Sequence, residues 1–281
     1  MKLHLLILTI FCITSCKEQK NTDSSISLEI KNDKIIKSEF QTIIDSEDIN
    51  GAILIYDLND DTYYSNDFNW TNTGNLPAST FKIANTIIGL ETGVIESDST
   101  IFNWDGEEKW SNLWEQDLVL RDAFQFSCVP CYQQVAAKIG TQRMNEYVEK
   151  LQYGNLNINA KNITNFWLEG KSRISQMQQI DFLKRFYNNQ LSISERTKNI
   201  VLDIMLVEET KNYKLSGKTG LSNSKDQYNG WYVGFIEVGE NVYFFATNLE
   251  PKNSKINLQD FIKKRKDVTL SALKKMKVIN E

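Results

Sequence analysis

The chain has 281 residues, of which 41% are hydrophobic and 11% aromatic, a composition typical of folded proteins with a sizeable core. This length accommodates one large domain or two small ones. The formal net charge of −4 provides no basic surplus of the kind that nucleic-acid-binding proteins carry, so we predict no nucleic-acid partner.

The first sixteen residues have the features of an export signal. Lys2 gives a basic start, the apolar run 5–13 is too short to span a bilayer, and the ending Ile13-Thr14-Ser15-Cys16 resembles a bacterial lipobox. We predict a signal peptide over residues 1–15, cleavage before Cys16 and lipidation of its thiol. The polar segment 16–33 is expected to be a tether, and the folded domain to cover 34–281.

The only histidine is His4, which export would remove. A mature chain without histidine excludes a Ser-His-Asp or Cys-His nucleophile and a His-ligated zinc site. Any base acting on a serine must then be Lys, Asp, Glu or Tyr. Beyond the export signal, Cys128 and Cys131 allow a local disulfide, a redox role or simple packing, but two thiols alone cannot form a metal site.

Alternating apolar residues and a polar turn predict a β-hairpin at the start of the domain, with strands 51–58 and 62–65. A helical run over 83–90 stops at Thr92-Gly93, and a turn with an aromatic residue covers 103–106. Helical patterns follow over 118–124, 132–139, 144–151, 175–188 and 194–206. Strands 213–217, 230–238 and 241–248 come next, with a loop over 220–229, and a last helix spans 267–276.

Strands therefore occupy both ends of the domain, and helices fill its middle. The simplest arrangement is an α+β fold in which one antiparallel sheet is built from both chain ends and the inserted helices form a second lobe. We expect a ligand-binding cleft between the two lobes.

A Ser-x-x-Lys tetrad, Ser79-Thr80-Phe81-Lys82, opens the helical run at 83–90. Residues three apart share a helix face, so Ser79 Oγ and Lys82 Nζ can meet there. The start of a helix also favours developing negative charge. Our hypothesis is that Ser79 is a nucleophile activated by Lys82 in a deprotonated or modified form. The tetrad also occurs on solvated helix faces, so it does not establish this role alone.

Three further motifs follow. Ser127-Cys128-Val129 lies between helical segments, Tyr153-Gly154-Asn155 ends a helix, and Lys218-Thr219-Gly220 ends a strand. Lys218 supplies a cation, Thr219 a hydrogen-bond donor, and Gly220 allows a ligand to approach the backbone. Each motif alone is also compatible with a cap, a helix stop or a strand end.

Taken together, these four motifs resemble the boxes of class D serine β-lactamases, the oxacillinase type, and related boxes occur in class A enzymes and penicillin-binding proteins. The likeness runs from about residue 40 to the C-terminus and includes Trp104-Asp105-Gly106, Tyr132-Gln133, 166–170, Ile174-Ser175 and 230–234. It implies a serine β-lactamase/transpeptidase-like fold and hydrolysis of β-lactam antibiotics.

The resemblance implies that Ser79 forms an acyl-enzyme, which water then hydrolyses. The implied base is Lys82 carboxylated on Nζ, which requires carbon dioxide or bicarbonate but no metal and no other cofactor. Formation of this carbamate requires an apolar pocket, because desolvation keeps the amine neutral. We expect the pocket to be lined by Phe81, Val129, Trp167 and Leu168, with the Trp167 indole bonded to the carbamate.

Other roles are implied position by position. Ser127, assisted by Lys218, would protonate the lactam nitrogen, and the backbone N–H groups of Ser79 and Tyr232 would form an oxyanion hole. Thr219 and Arg265 would hold the substrate carboxylate, although Arg265 could instead be a solvated surface residue. Gly220 and Trp104 complete the expected substrate site. Glu169 lies in a class D setting, and we interpret it as structural.

Two other functions remain possible from sequence. A β-lactam sensor domain shares these boxes but acylates without turnover, and such sensors carry transmembrane helices and a zinc protease domain that this chain lacks. A penicillin-binding transpeptidase or peptidase is disfavoured by Tyr153-Gly154-Asn155 and by 166–170. We therefore predict a β-lactamase anchored by lipid to a bacterial membrane and facing the periplasm.

Overall fold

The structure, a computed structural model, describes residues 33–224, 227–253 and 257–280. The predicted signal peptide 1–15, the lipidated Cys16 and nearly all of the tether 16–33 lie outside the described residues. Among the residues described, no helix is both long enough and apolar enough to cross a membrane.

The strands and helices that the sequence predicts occur in the predicted order, together with further short elements that it did not predict. The strands are β1 (Asp33–Ile36), β2 (Ile49–Asp57), β3 (Thr62–Ser65), β4 (Ile101–Phe102), β5 (Leu118–Val119), β6 (Leu206–Glu209), β7 (Lys214–Ser224), β8 (Gln227–Val238) and β9 (Asn241–Pro251). The helices are α1 (Ser38–Asp45), α2 (Phe68–Asn72), α3 (Lys82–Glu91), α4 (Leu120–Gln125), α5 (Val129–Ile139), α6 (Thr141–Leu151), α7 (Gln176–Tyr187), α8 (Glu195–Met205) and α9 (Leu258–Lys275). Short 3₁₀ turns cover Ala78–Phe81 and Asn112–Trp114.

The main sheet has seven strands in the order β1-β3-β2-β9-β8-β7-β6. The N-terminal strands meet the C-terminal ones where β2 pairs antiparallel with β9, which confirms a sheet built from both chain ends. The pairing differs from the prediction only at one edge, where β1 runs parallel to β3. The helices between β3 and β6 form the inserted lobe.

Two apolar clusters cover the two faces of this sheet. Neighbouring strand residues point to opposite faces, so Leu54 and Tyr56 join the cluster of the inserted lobe, whereas Ile53 and Ile55 join a second cluster with α1 and α9. The sheet is therefore a middle layer that is buried on both sides.

Two predicted boundaries are wrong by more than five residues. Residues predicted as the loop 220–229 continue the strands, because β7 and β8 pair from Lys214↔Glu237 to Ser224↔Gln227 as one long hairpin. The last helix begins at Leu258 rather than at Asp267, since Asn257 Oδ1 accepts the backbone N–H groups of Gln259 and Asp260 and caps a longer helix. Arg265 consequently lies within α9.

Candidate active site

Ser79 lies in the 3₁₀ turn Ala78–Phe81, directly before α3. Hydrogen bonds to two tryptophans hold this turn and the residues before it in place. Ala78 has a left-handed backbone (φ 49°) and donates its N–H to the Trp167 carbonyl at 2.8 Å. The indole N–H of Trp231 on β8 donates to the Leu76 carbonyl at 2.9 Å. These bonds hold the serine at the boundary between sheet and inserted lobe.

The Tyr153-Gly154-Asn155 motif supports this turn and does not line the site cavity. Gln179 donates to Thr80 Oγ1 at 2.7 Å, and the Tyr153 hydroxyl lies 3.3 Å from the same oxygen. Gly154 has φ 63°, and a Cβ there would lie 2.8 Å from the Arg173 carbonyl, so the motif requires glycine at this position. The motif therefore acts on Ser79 through Thr80.

Lys82 is fully buried, and its Nζ donates a hydrogen bond to Ser79 Oγ at 3.0 Å. Burial lowers the pKa of Lys82 from 10.5 to about 7. The ring of Tyr132 faces the amine, with 5.1 Å between Nζ and the ring centroid. Near neutral pH a large share of this lysine is thus the uncharged, nucleophilic amine.

The four residues expected around Lys82 divide into two groups. Phe81 and Trp167 are fully buried and stacked, with ring centroids 5.8 Å apart, whereas Val129 and Leu168 line the open cavity beside Ser79. The indole Nε1 of Trp167 is buried without a hydrogen-bond partner in the described structure. An unpaired buried donor is costly, so this atom suits an acceptor group such as a carbamate oxygen.

Ser127 lies between the C-cap of α4, Phe126, and the N-cap of α5, Cys128, and it has a left-handed backbone (φ 55°). Lys218 of β7 donates one hydrogen bond from Nζ to Ser127 Oγ and a second one to the Thr219 carbonyl at 3.1 Å. The pKa of Lys218 is lowered well below its usual value by burial, and further by the cations Lys82, Arg265 and Lys266. Ser127 and Lys218 therefore form a second serine–lysine pair.

A cavity of about 650 Å³ opens above both pairs. Thr219 and Gly220 form part of one wall, next to Arg265. Arg265 is buried, donates from Nη1 to the Gly220 carbonyl at 2.6 Å and from Nε to the Ile262 carbonyl at 2.8 Å. Its guanidinium is thereby fixed at the cavity wall, which excludes the solvated-surface alternative.

A family model of the penicillin-binding protein transpeptidase domain matches residues 42–269. β-Lactamase OXA-10 of Pseudomonas aeruginosa is 42% identical over 221 residues, which is 77% of this chain and 83% of that protein. The crystal structure of the class D β-lactamase YbXI from Nostoc is 42% identical, with a TM-score of 0.80 and coverage of 84% of this chain and 98% of that one. The chain belongs to the class D β-lactamases. The crystal structure of a class D β-lactamase from Sebaldella termitidis is 35% identical, with a TM-score of 0.83 and coverage of 89% of this chain and 100% of that one.

Two residues expected at the substrate site of this class D β-lactamase lie elsewhere. Tyr232 belongs to the apolar cluster on the opposite face of the sheet, and it is paired to Thr219 on β7 and to Thr247 on β9. A residue with a strand on each side uses its N–H in the ladder, so Tyr232 cannot supply the oxyanion hole. Trp104 donates its indole N–H to the Glu107 carbonyl and lies outside the main cavity.

The cavity-lining residues that sequence reasoning missed include an aromatic and apolar group beside the predicted Trp104 turn. Trp110, Leu113 and Trp114 lie on and beside the 3₁₀ turn Asn112–Trp114, and the two indoles contact each other with centroids 5.6 Å apart. Trp114 donates its indole N–H to the Phe126 carbonyl, one residue before Ser127. The many aromatic residues over 104–114 could have indicated a binding surface in this segment. They could not show which of these side chains points into the cavity.

The Cys128–Cys131 alternatives are resolved in favour of a disulfide, with Cα atoms 5.5 Å apart. The two cysteines line a small pocket that Trp104 also lines. No group of three or more potential metal ligands occurs among the residues that the structure describes. Glu169 accepts a hydrogen bond from Asn165 and does not line the main cavity.

Proposed function

We propose that this class D β-lactamase hydrolyses β-lactam antibiotics through an acyl-enzyme on Ser79, with a carboxylated Lys82 as general base. The observation that carries the proposal is the Lys82 amine, which is fully buried, has a pKa lowered to about 7 and lies 3.0 Å from Ser79 Oγ. A weakened lysine base in contact with a serine is the arrangement that nucleophilic catalysis without histidine requires.

In the acylation step, Ser79 Oγ attacks the lactam carbonyl, and the lactam C–N bond breaks. The nitrogen that leaves must gain a proton, and the Ser127 hydroxyl is placed to donate it because Lys218 Nζ is bonded to Ser127 Oγ and can replace the proton. The result is an ester on Ser79, with the ring-opened product still bound.

Two backbone N–H groups would stabilise the oxyanion. One belongs to Ser79. We assign the second donor, in place of the Tyr232 N–H, to a backbone N–H of β7 within residues 219–221. The described structure pairs β6 with β7 only as far as Ser216, which leaves this part of the β7 edge open. A Cβ on Gly220 would lie 3.2 Å from Thr80 Cγ2, so the strand runs close beside the Ser79 turn.

The substrate carboxylate would bind between Thr219 and Arg265. Arg265 remains cationic in neutral solution, because burial lowers its pKa only to about 10. Its two bonds to backbone carbonyls fix the guanidinium before substrate arrives. Binding therefore costs little side-chain entropy.

The carbamate would occupy the apolar pocket of Phe81, Val129, Trp167 and Leu168, with Trp167 Nε1 as its donor. When it is formed from carbon dioxide or bicarbonate, it supplies the base for Ser79 and for the deacylating water. The neutral Lys82 amine and the unpaired indole N–H both fit this group. No metal is needed for this reaction.

Outside the described residues, we further propose cleavage before Cys16, lipidation of Cys16 and anchoring to a bacterial membrane on the periplasmic side. The support is the lipobox-like ending Ile13-Thr14-Ser15-Cys16. Mass spectrometry of the mature N-terminus tests this, together with membrane fractionation of a Cys16→Ala variant. An unmodified Cys16 in the mature protein would contradict it.

Turnover of a chromogenic cephalosporin by purified protein, with and without bicarbonate, tests the enzymatic proposal. We expect multiple turnovers that increase with bicarbonate, and a fall of about 10⁴-fold in Ser79→Ala. Stoichiometric acylation without turnover would overturn hydrolysis in favour of a sensor. Turnover that does not respond to bicarbonate after CO₂ removal would overturn the carbamate alone.

A further inference from the structure

Ser127 is held on its N-terminal side by the end of α4. Its N–H donates to the Phe124 carbonyl at 3.1 Å, and the N–H of Cys128 donates to the Ala123 carbonyl at 2.9 Å. These two bonds form a Schellman motif, in which the residue at the position of Ser127 is usually glycine, since its backbone is left-handed. A serine there indicates that the hydroxyl is needed despite the backbone strain.

On its C-terminal side, Ser127 is followed directly by the ring that the Cys128–Cys131 disulfide closes. Cys128 caps α5, because its Sγ accepts the Cys131 N–H at 3.2 Å, and the same sulfur is bonded to Cys131. Pro130 fills the first turn of α5. Both cysteines are buried. The first turn of a helix is ordinarily its least constrained part, and here it is closed by a bond.

The hydroxyl of Ser127 has to meet a lysine from a distant part of the chain. Lys218 lies on β7, 91 residues away, and no local hydrogen-bond pattern brings it to Ser127. Their contact therefore depends on how the α4–α5 corner is oriented toward the sheet. Any fraying of α5 would turn Ser127 about its backbone and lengthen the contact.

We propose that the Cys128–Cys131 disulfide is a positioning element for Ser127, which keeps its hydroxyl on Lys218 for protonation of the lactam nitrogen. The inference rests on the proposed function. The cysteines do not contact the reacting atoms and act only through Ser127. Reduction of the bond to two thiols by a phosphine, which is oxidised to phosphine oxide, should slow acylation while the protein stays folded.

A disulfide that only stabilises the fold would affect acylation whether or not Ser127 is present. A double-mutant cycle separates this role from the positioning of Ser127. The Cys128→Ser/Cys131→Ser pair breaks the covalent ring but keeps an oxygen at the cap of α5. The effect of this pair of substitutions is measured once in the native protein and once in Ser127→Ala. The measured quantity is the single-turnover rate of acylation by a chromogenic cephalosporin. Thermal melting confirms that each variant is folded.

We expect the cysteine pair variant to acylate about tenfold more slowly when Ser127 is present, and to show no further loss in Ser127→Ala, because a misplaced proton donor forfeits part of its contribution. Deacylation should change less than acylation. Equal losses in both backgrounds, or no loss in either, would overturn the proposal.

Phosphine treatment of the unsubstituted enzyme provides a second measurement that does not depend on the folding of a variant. We expect it to reproduce the slower acylation, reoxidation to restore the rate, and the cysteine pair variant to be unaffected. An unchanged rate after reduction confirmed by mass spectrometry would overturn the proposal. Since acylation is measured directly, the test holds even if the protein fails to turn over, a result that would overturn only the hydrolytic function.

Discussion

Two serine–lysine pairs reach the cavity through their serines, and they are built in opposite ways. Ser79 and Lys82 are three residues apart on one helical element, and the lysine lies beneath the serine. Ser127 and Lys218 are 91 residues apart and join the corner between α4 and α5 to strand β7. The first pair keeps its geometry as long as one helix is intact, whereas the second depends on the docking of two lobes.

The two lysines also differ in electrostatic surroundings. Burial alone lowers the pKa of Lys82, to about 7, whereas that of Lys218 is lowered by burial and by three neighbouring cations. No carboxylate forms an ion pair with either lysine in the described structure. Lys82 is thus prepared to react as an amine, whereas Lys218 lies among basic side chains and can exchange a proton with Ser127, to which it is hydrogen-bonded.

The largest expected effect comes from the local pair. Lys82→Ala should lower turnover of a chromogenic cephalosporin by about 10³-fold or more, because it removes the base for both steps. Mass spectrometry should detect an acyl adduct that persists. The exposed Lys138→Ala on α5 is the matched control and should retain native turnover. Full deacylation by Lys82→Ala would contradict the assignment of the base.

The same pair determines the pH dependence. Because its pKa is about 7, Lys82 loses its proton as the pH rises through neutrality, and the neutral amine alone captures carbon dioxide. Turnover at fixed total bicarbonate should therefore fall below pH 7. The profile should lose this inflection when deacylation is measured in Lys82→Ala.

The long-range pair should give an intermediate effect. Ser127→Ala and Lys218→Met should each lower the acylation rate by about 100-fold, and the double substitution should cost little more, because the two residues form one proton relay. Rapid-quench measurement of the acyl-enzyme checks this. Losses that multiply in the double variant would show that the pair does not act as a unit.

The smallest effect is expected at the carbamate pocket. Trp167→Phe keeps an aromatic ring against Phe81 but removes the indole N–H, so the bicarbonate concentration for half-maximal turnover should rise by about five- to tenfold, which is the net value of one typical hydrogen bond. Saturating bicarbonate should restore most of the rate. An unchanged bicarbonate requirement would contradict the contact between Trp167 and the carbamate.

Local sequence spacing was sufficient for the first pair and insufficient for the second. The Ser79–Lys82 contact follows from helical geometry, and the resemblance to class D enzymes, rather than any periodicity, linked Ser127 to Lys218. The alternation of side chains along β8 could have shown that the Tyr232 side chain does not reach the substrate site. Trp231 and Val233 face the inserted lobe, so the residue between them must face away from it.

Two other errors had readable signals. The polar residues 222–224 suggested a loop, but they pair with residues 227–229 near the end of a long hairpin, where burial imposes an apolar pattern less strictly. The lysine-rich start of α9 concealed a helical spacing of Leu258, Phe261, Arg265 and Val268. In contrast, the position of Trp110 at the cavity depends on tertiary packing, which no single-sequence pattern encodes.

The antiparallel pairing of β2 with β9 affects the order in which the chain folds. Ile49 pairs with Pro251 and Asp57 with Tyr243, so about two hundred residues must be available before this ladder can close. Until then β2 has only its short local partner β3, and one backbone edge remains unsatisfied. The backbone hydrogen bonds of each inserted helix join residues close in sequence, so these helices can begin to form earlier. Closure of the sheet, with Lys218 brought opposite Ser127 by β7, is therefore a late event, and the molecule acquires its proton relay only when nearly its whole length has assembled.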